Sequence, residues 1–297
     1  MVWNVALWIL AVSYQVFPAH KANAAVEVAA TPIDNYITQV YAQIDFGKAN
    51  KLSEEVFRYA YKGYLNLQQA GKLQNENEIL SICDFSLSST QKRLWVIDLS
   101  DKKLLLNDYV AHGKGSGVEF ATSFSNVENS HQSSMGFYVT GAIYNGQHGA
   151  SLYLHGMDKG YNSAAYKRAI VIHGADYVCT DLIRSQNYIG RSWGCPAVSH
   201  RIASKLIHII QDSTCFFIYA PDKNYLTKAY WLNKKPDYLP TQDAGKMFAA
   251  SFRKDTNYVY DISAADLAPE GAKIVAWNSD HPQSVFTPLP FIWKWLP

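Results

Sequence analysis

The chain reads as a mostly β core with flanking helices, and three observations lead there. From Ile79 onward apolar residues recur with a period of two, in short runs separated by Gly, Ser and Asn turns. Ahead of those runs, two stretches repeat their apolar residues at helical spacing. With 297 residues, 48% apolar and 14% aromatic, the chain has ample material for a packed core, in one large domain or two small ones.

Residues 1–24 form the first segment. Met1 to Val12 is apolar but too short to span a bilayer comfortably, and Ala22-Asn23-Ala24 offers a small-residue cleavage site. This reads as a secretory signal peptide, although no Lys or Arg precedes the apolar run. Export to the periplasm or cell wall is therefore expected, with no stable membrane span once the signal is removed.

Residues 25–75 read as a helical segment. Tyr36, Ile37, Val40, Tyr41 and Ile44 mark one helix; Val56, Tyr59, Ala60, Gly63, Tyr64 and Leu67 mark a second. Ser53 is a natural N-cap for the second, Glu54 and Glu55 suit its positive end, and Gly71 can close it.

Residues 76–222 carry the strands: Ile79 to Phe85, Arg93 to Asp98, Leu104 to His112, Gly136 to Thr140, Ser151 to His155, Arg168 to His173 and Phe216 to Tyr219. Strand counting alone allows either a sandwich or a barrel. A helix capped by Ser199 presents Ile202, Ala203, Leu206, Ile207 and Ile210 on one face. That places Cys195 just ahead of a helix N-terminus, where the macrodipole favours a thiolate. Residues 223–297 contain no motif and read as a C-terminal extension of unknown role, most simply an appended packing layer.

A net charge of +2 with scattered Lys and Arg does not fit a nucleic-acid binder. The four cysteines are Cys83, Cys179, Cys195 and Cys215. If Cys195 stays a free thiol, at most one pair can form among the rest, and Cys83 and Cys215 read equally well as small core residues on strands. His112, His131, His148, His200 and His208 show no tight ligand spacing, so no metal site and no cofactor are expected. His112-Gly113-Lys114-Gly115-Ser116-Gly117 lacks the glycine spacing and following helix of a phosphate loop and reads as a flexible turn near a cleft.

The chemistry concentrates in two places. One strand ends in Ile172-His173-Gly174-Ala175, and a loop downstream reads Gly190-Arg191-Ser192-Trp193-Gly194-Cys195-Pro196. A loop cysteine between glycine and proline, with a strand-end histidine, supplies a thiol nucleophile and a base. These residues, with Lys92 to Leu99, Val110 to Gly113, Phe124 to Asn126, Met135 to Gly141 and Arg168 to Ala175, resemble the murein L,D-transpeptidase (YkuD-like) family over about Ile79 to Pro221. That family pairs H-G at a strand end with a later S-x-G-C. Better-known members read S-H-G-C, then a variable residue and Arg or Asn; here Trp193 replaces the His and Pro196-Ala197 follow the cysteine.

The resemblance implies the compact β-sandwich or barrel catalytic domain of the L,D-transpeptidases. It implies Cys195 as nucleophile and His173 as base, its ring oriented by the carbonyl of Gly174. The N–H groups of Trp193, Gly194 and Cys195 are candidates for an oxyanion hole. Arg191 and Ser192 are candidates for substrate binding, Arg191 in place of the absent anchor after the cysteine. His155-Gly156 echoes His173-Gly174, and His155 reads as a pocket-wall residue rather than the base. Arg168 reads as a solvated strand-start residue or a structural ion pair. The implied partner is the peptidoglycan stem peptide, handled through a thioester; an L,D-carboxypeptidase using water, a non-catalytic wall-binding protein and a general cysteine peptidase are the alternatives.

Overall fold

The computed structural model describes residues 31–73 and 78–236. The signal-peptide reading of 1–24 and the part of the C-terminal extension beyond residue 236 lie outside the described residues. The helices are α1 (Pro32–Gln43), α2 (Glu54–Gln69), α3 (Thr180–Gln186), α4 (His200–Ile210), α5 (Lys223–Lys228) and α6 (Tyr230–Asn233). The strands are β1 (Ile79–Asp84), β2 (Leu94–Asp98), β3 (Lys103–Asp108), β4 (Gly136–Gly146), β5 (Gly149–Gly156), β6 (Val171–Gly174), β7 (Ala197–Val198) and β8 (Cys215–Tyr219).

Local chemistry sets the helical pair. Thr31 caps α1 by accepting from Asp34 N, the Asp34 carboxylate reaches back to Thr31 N, and Pro32 fills the first helical position. Asp34 also ties α1 to α2 through Lys62 Nζ at 2.7 Å. Ser53 stands at the N-cap of α2, but its hydroxyl makes no capping bond; Glu54 and Glu55 occupy the first turn, and Gly71 follows the helix at φ +65°. Gly63 is where α2 meets the sheet. A Cβ there would stand 1.9 Å from Phe137 Cζ, so any side chain would force helix and sheet apart.

All eight strands form one sheet in the order β3-β2-β1-β8-β4-β5-β6-β7. The pairs β1/β8 and β6/β7 are parallel and the others antiparallel. Just past β3, Ala111 N donates to Ala197 O at 2.8 Å in an antiparallel bridge to β7. The two ends of the strand order therefore meet, and the mostly β core is a nearly closed barrel preceded by the helical pair.

Both faces of the central strands are buried, which is why they read as almost continuous apolar runs. Leu80, Ile82, Phe217 and Tyr219 join one core with α1, α2, α5 and α6. Ile79, Cys83, Phe216 and Ile218 join the other with Ile202, Leu206, Ile207 and Ile210 of α4. Cys83 and Cys215 are fully buried on opposite faces, and all four cysteines are free thiols.

Two departures from the expected elements bear on the site. β4 runs past Thr140 to Gly146 and turns directly into β5; a register shift between Thr140 and Ile143 breaks the period of two and hides the continuation. The segment 112–117 is no flexible turn. It forms a short 3-10 turn with Ser116 buried, Ser116 Oγ accepts from Ser133 N at 2.8 Å, and Lys114 N donates to Ser192 O at 2.7 Å. The described part of the extension is a packing layer: Asn66 Nδ2 donates to Trp231 O at 2.7 Å and Lys234 O at 2.8 Å, so the fold continues beyond residue 222.

Candidate active site

Strand β6 and the turn before β7 bring the cysteine and histidine of the motif to one edge of the barrel. Cys195 is partly buried, with Sγ 3.5 Å from Val171 N and 3.6 Å from Ala169 O. Two residues further along the same strand, His173 Nδ1 lies 2.9 Å from Gly174 O. A carbonyl only accepts, so Nδ1 carries the proton and Nε2 presents its lone pair. Among the described residues no hydrogen bond joins Sγ to the His173 ring.

The turn that presents Cys195 is held from within. Gly194 sits at φ +126°, and a Cβ there would meet Gln132 O at 2.8 Å, so both conformation and space call for glycine. Gly194 N donates to Ser192 Oγ at 3.0 Å, Ser192 Oγ donates to Cys195 O at 2.6 Å, and Ser192 N donates to His112 O at 3.0 Å. Ser192 thus staples the loop from a buried position, and the Gly194 N–H is already engaged, leaving the Trp193 and Cys195 N–H groups without an internal acceptor among the described residues.

Arg191, the candidate donor anchor, is itself held at the site. Its Nη1 donates to Gly117 O at 3.0 Å and its guanidinium lies over the Tyr188 ring at 5.6 Å, which ties the nucleophile turn to the 114–117 turn. Trp193 is 74% exposed and stacks on His131 with ring centroids 5.0 Å apart, beside the cysteine. Behind the turn, His112 is fully buried with Nδ1 2.7 Å from Arg93 Nη2. Burial and the Arg93 charge hold His112 down at about 3, so it stays neutral and serves as scaffold.

The electrostatics favour a neutral resting pair. Burial pushes the Cys195 thiol above its ordinary range, opposed by the Val171 N–H and the Arg168 charge. Burial likewise holds His173 below the usual imidazole value; the Gly174 carbonyl opposes this, while His148 and His200 add to it. The expected macrodipole does not reverse the balance. α4 begins at His200, with β7 intervening, and the dipole fades beyond the first turn.

A wall of rings continues from the pair along the same face of the sheet. Tyr144 pairs with Ser151 and Ser151 with His173, so all three side chains share a face. Tyr144 stacks on Tyr153 at 4.4 Å, Tyr153 meets Tyr166 at 5.5 Å, and His155 stacks on Tyr166 at 5.3 Å. His155 thus stands at the far end of this wall, its imidazole held low by burial. From the β4–β5 turn, His148 stacks on His173 itself at 4.4 Å. Sequence reasoning missed Tyr144, His148 and Arg168; the first two were hidden by the undetected continuation of β4.

Among the described residues no group of three or more His, Cys, Asp or Glu is placed to hold a metal, and no helix is long and apolar enough to cross a membrane.

A family profile described as the L,D-transpeptidase catalytic domain matches residues 48–219. No match was found among the curated proteins. Similar solved structures include an L,D-transpeptidase from Mycobacterium smegmatis, 13% identical with TM-score 0.31, covering 48% of this chain and 59% of that one. They also include the LD transpeptidase LdtMt1 in complex with imipenem, 12% identical with TM-score 0.29 and the same coverages, 48% and 59%. An L,D-transpeptidase from Stackebrandtia nassauensis is 12% identical with TM-score 0.32, covering 63% of this chain and 90% of that one. The chain thus spans about three fifths of the length of the first two.

Proposed function

Since the chain belongs to the L,D-transpeptidase catalytic domain family, we propose that it is an exported cysteine transpeptidase acting on peptidoglycan stem peptides, with Cys195 as nucleophile and His173 as base. One observation carries the assignment. A single short strand holds Sγ at its first residue, through Val171 N, and two residues later presents an imidazole whose Nδ1–H is committed to Gly174 O, leaving Nε2 to take a proton. Export rests on the apolar N-terminal run and Ala22-Asn23-Ala24.

The reaction is read as starting from the neutral pair. His173 Nε2 takes the proton of Sγ, and the thiolate so formed attacks the carbonyl carbon of the third stem residue. The oxyanion that forms is met by the N–H groups of Trp193 and Cys195, which have no internal acceptor among the described residues. Collapse breaks the bond to the terminal D-alanine, whose amine takes the proton from the imidazolium, and a thioester remains on Cys195. An amine on a second stem, such as the diaminopimelate side chain, then attacks the thioester. It loses its proton to His173 and releases the thiol. Water in place of the amine makes the same sequence an L,D-carboxypeptidase reaction.

Purified sacculi incubated with the protein, digested and resolved by mass test this reading. Third-to-third residue cross-links support transpeptidation, tripeptide stems alone support hydrolysis, and unchanged stems together with no adduct on Cys195 after a carbapenem leave a non-catalytic wall-binding protein.

A further inference from the structure

Arg168, at the entrance to β6, is half-buried and lacks a carboxylate partner. Its Nη1 donates to Ser125 O at 2.7 Å and to Ser134 Oγ; its Nη2 donates to Gln132 O at 2.7 Å and Ser130 Oγ at 3.2 Å. All four acceptors are neutral. Among the described residues no carboxylate stands within ion-pair distance of it, and the nearest acidic group on that loop, Glu128, is paired with Lys167 Nζ at 2.6 Å. Taking a guanidinium partly out of water with no anion in contact is unfavourable, and charges perturbed in this way cluster at functional sites.

The anion that forms nearby belongs to Cys195. A Cβ on Gly194 would stand 3.3 Å from Arg168 Nη2, so the guanidinium packs against the residue that precedes the nucleophile. Ala169, next in the chain after Arg168, offers its carbonyl to Sγ. The loop that Arg168 clips also braces the nucleophile turn: Ser133 Oγ accepts from Gly113 N at 2.9 Å and donates to Gly194 O at 3.2 Å. We propose that Arg168 is a positioning residue for Cys195, supplying the countercharge for its thiolate while locking the 125–134 loop behind the nucleophile turn. This rests on Cys195 being the nucleophile, and the role is distinct from the donor-anchor role read for Arg191.

The test is the pH dependence of Cys195 alkylation by iodoacetamide, read by peptide mass in the full-length protein and in its Arg168→Gln and Arg168→Lys variants, with thermal unfolding alongside. An opposite charge nearby lowers a thiol pKa, by about 1 to 3 units when it stands within about 4 to 6 Å. Arg168→Gln should raise the inflection by about one unit and slow alkylation about tenfold at neutral pH, whereas Arg168→Lys should keep the inflection near that of the parent. An unchanged inflection in a folded Arg168→Gln protein, or equal shifts in both variants, would overturn the proposal. If the Gln variant does not fold, the Lys variant decides: an inflection near that of the parent supports the charge role, and a rise of about one unit refutes it. Failure of the nucleophile reading shows separately, as the absence of a carbapenem adduct on Cys195 of the parent protein.

Discussion

The His148 imidazole lies flat on that of His173, centroids 4.4 Å apart and planes 22° from parallel. His148 comes from the β4–β5 turn and His173 from the neighbouring strand, so the hairpin tip covers one face of the proposed base. The cover keeps water from the ring, and His148 adds to the effects that hold the His173 pKa down. Since His173 must be neutral to accept the thiol proton, activity fails as pH falls through its pKa. His148→Ala should shift the acid limb of the carbapenem acylation profile to higher pH, and His148→Phe, which keeps the cover but removes the charge, should shift it less. Superimposable acid limbs for the parent and His148→Ala proteins would show that the stack does not tune the base.

Replacing Cys195 by Ala should abolish the carbapenem adduct with a change in stability below about 1 kcal/mol, because the side chain is only partly buried on a turn. Cys83→Ala and Cys215→Ala should instead keep the adduct and lower stability by about 1 kcal/mol, as both thiols are fully buried in the sheet cores. Intact mass and chemical denaturation separate the two classes; an adduct persisting in Cys195→Ala would move the nucleophile elsewhere.

His173→Ala should slow acylation by about two or more orders of magnitude at unchanged fold. His155→Ala should have a smaller effect, chiefly on substrate KM, since His155 stands at the far end of the ring series Tyr166, Tyr153 and Tyr144. Single-turnover rates for both variants decide. A large rate loss in His155→Ala with a modest one in His173→Ala would reverse the assignment.

Arg191→Gln should now reduce stability rather than donor affinity. Its guanidinium is committed to Gly117 O and the Tyr188 ring, and losing a charge-assisted bond of this kind costs about 1.5 to 3 kcal/mol, less at a partly exposed site. Denaturant midpoints and donor KM measured on the same protein distinguish the outcomes; a raised KM with unchanged stability would restore the anchor role.

What was legible in the sequence was whatever is encoded contiguously. Ile172-His173-Gly174 and Trp193-Gly194-Cys195 each read as one local motif, and the β1 and β8 runs are almost continuously apolar because each face meets its own core. The continuation of β4 was hidden because the irregularity after Thr140 breaks the period of two, and with it went Tyr144 and His148. Arg168 was misread because its acceptors, from Ser125 to Ser134, lie far upstream in sequence and are carbonyls and hydroxyls, which leave no charge pattern. Arg191 is the opposite case, its guanidinium held by Gly117 O. It is the cation nearest the nucleophile in sequence, but proximity along the chain does not say where a guanidinium points.

Asp158 should make stability fall as pH rises through the weakly acidic range. Its carboxylate is buried between β4 and α5: Oδ2 accepts from Phe137 N at 2.7 Å and Tyr225 Oη at 2.9 Å, while Oδ1 is buried without a partner. Burial raises its pKa to about 6 from an ordinary 3.8, with those two hydrogen bonds opposing. Between these values the folded protein holds a proton that the unfolded chain has released, so the contribution is fully present below the lower pKa and is lost as pH climbs through the upper one. A shift of about two units corresponds to about 3 kcal/mol. Asp158→Asn keeps an oxygen for both donors and removes the titration, so its stability relative to the parent should improve between about pH 4 and pH 7. Urea denaturation at a series of pH values measures the difference, and a constant gap between the two proteins across that range would mean that Asp158 does not titrate in the fold.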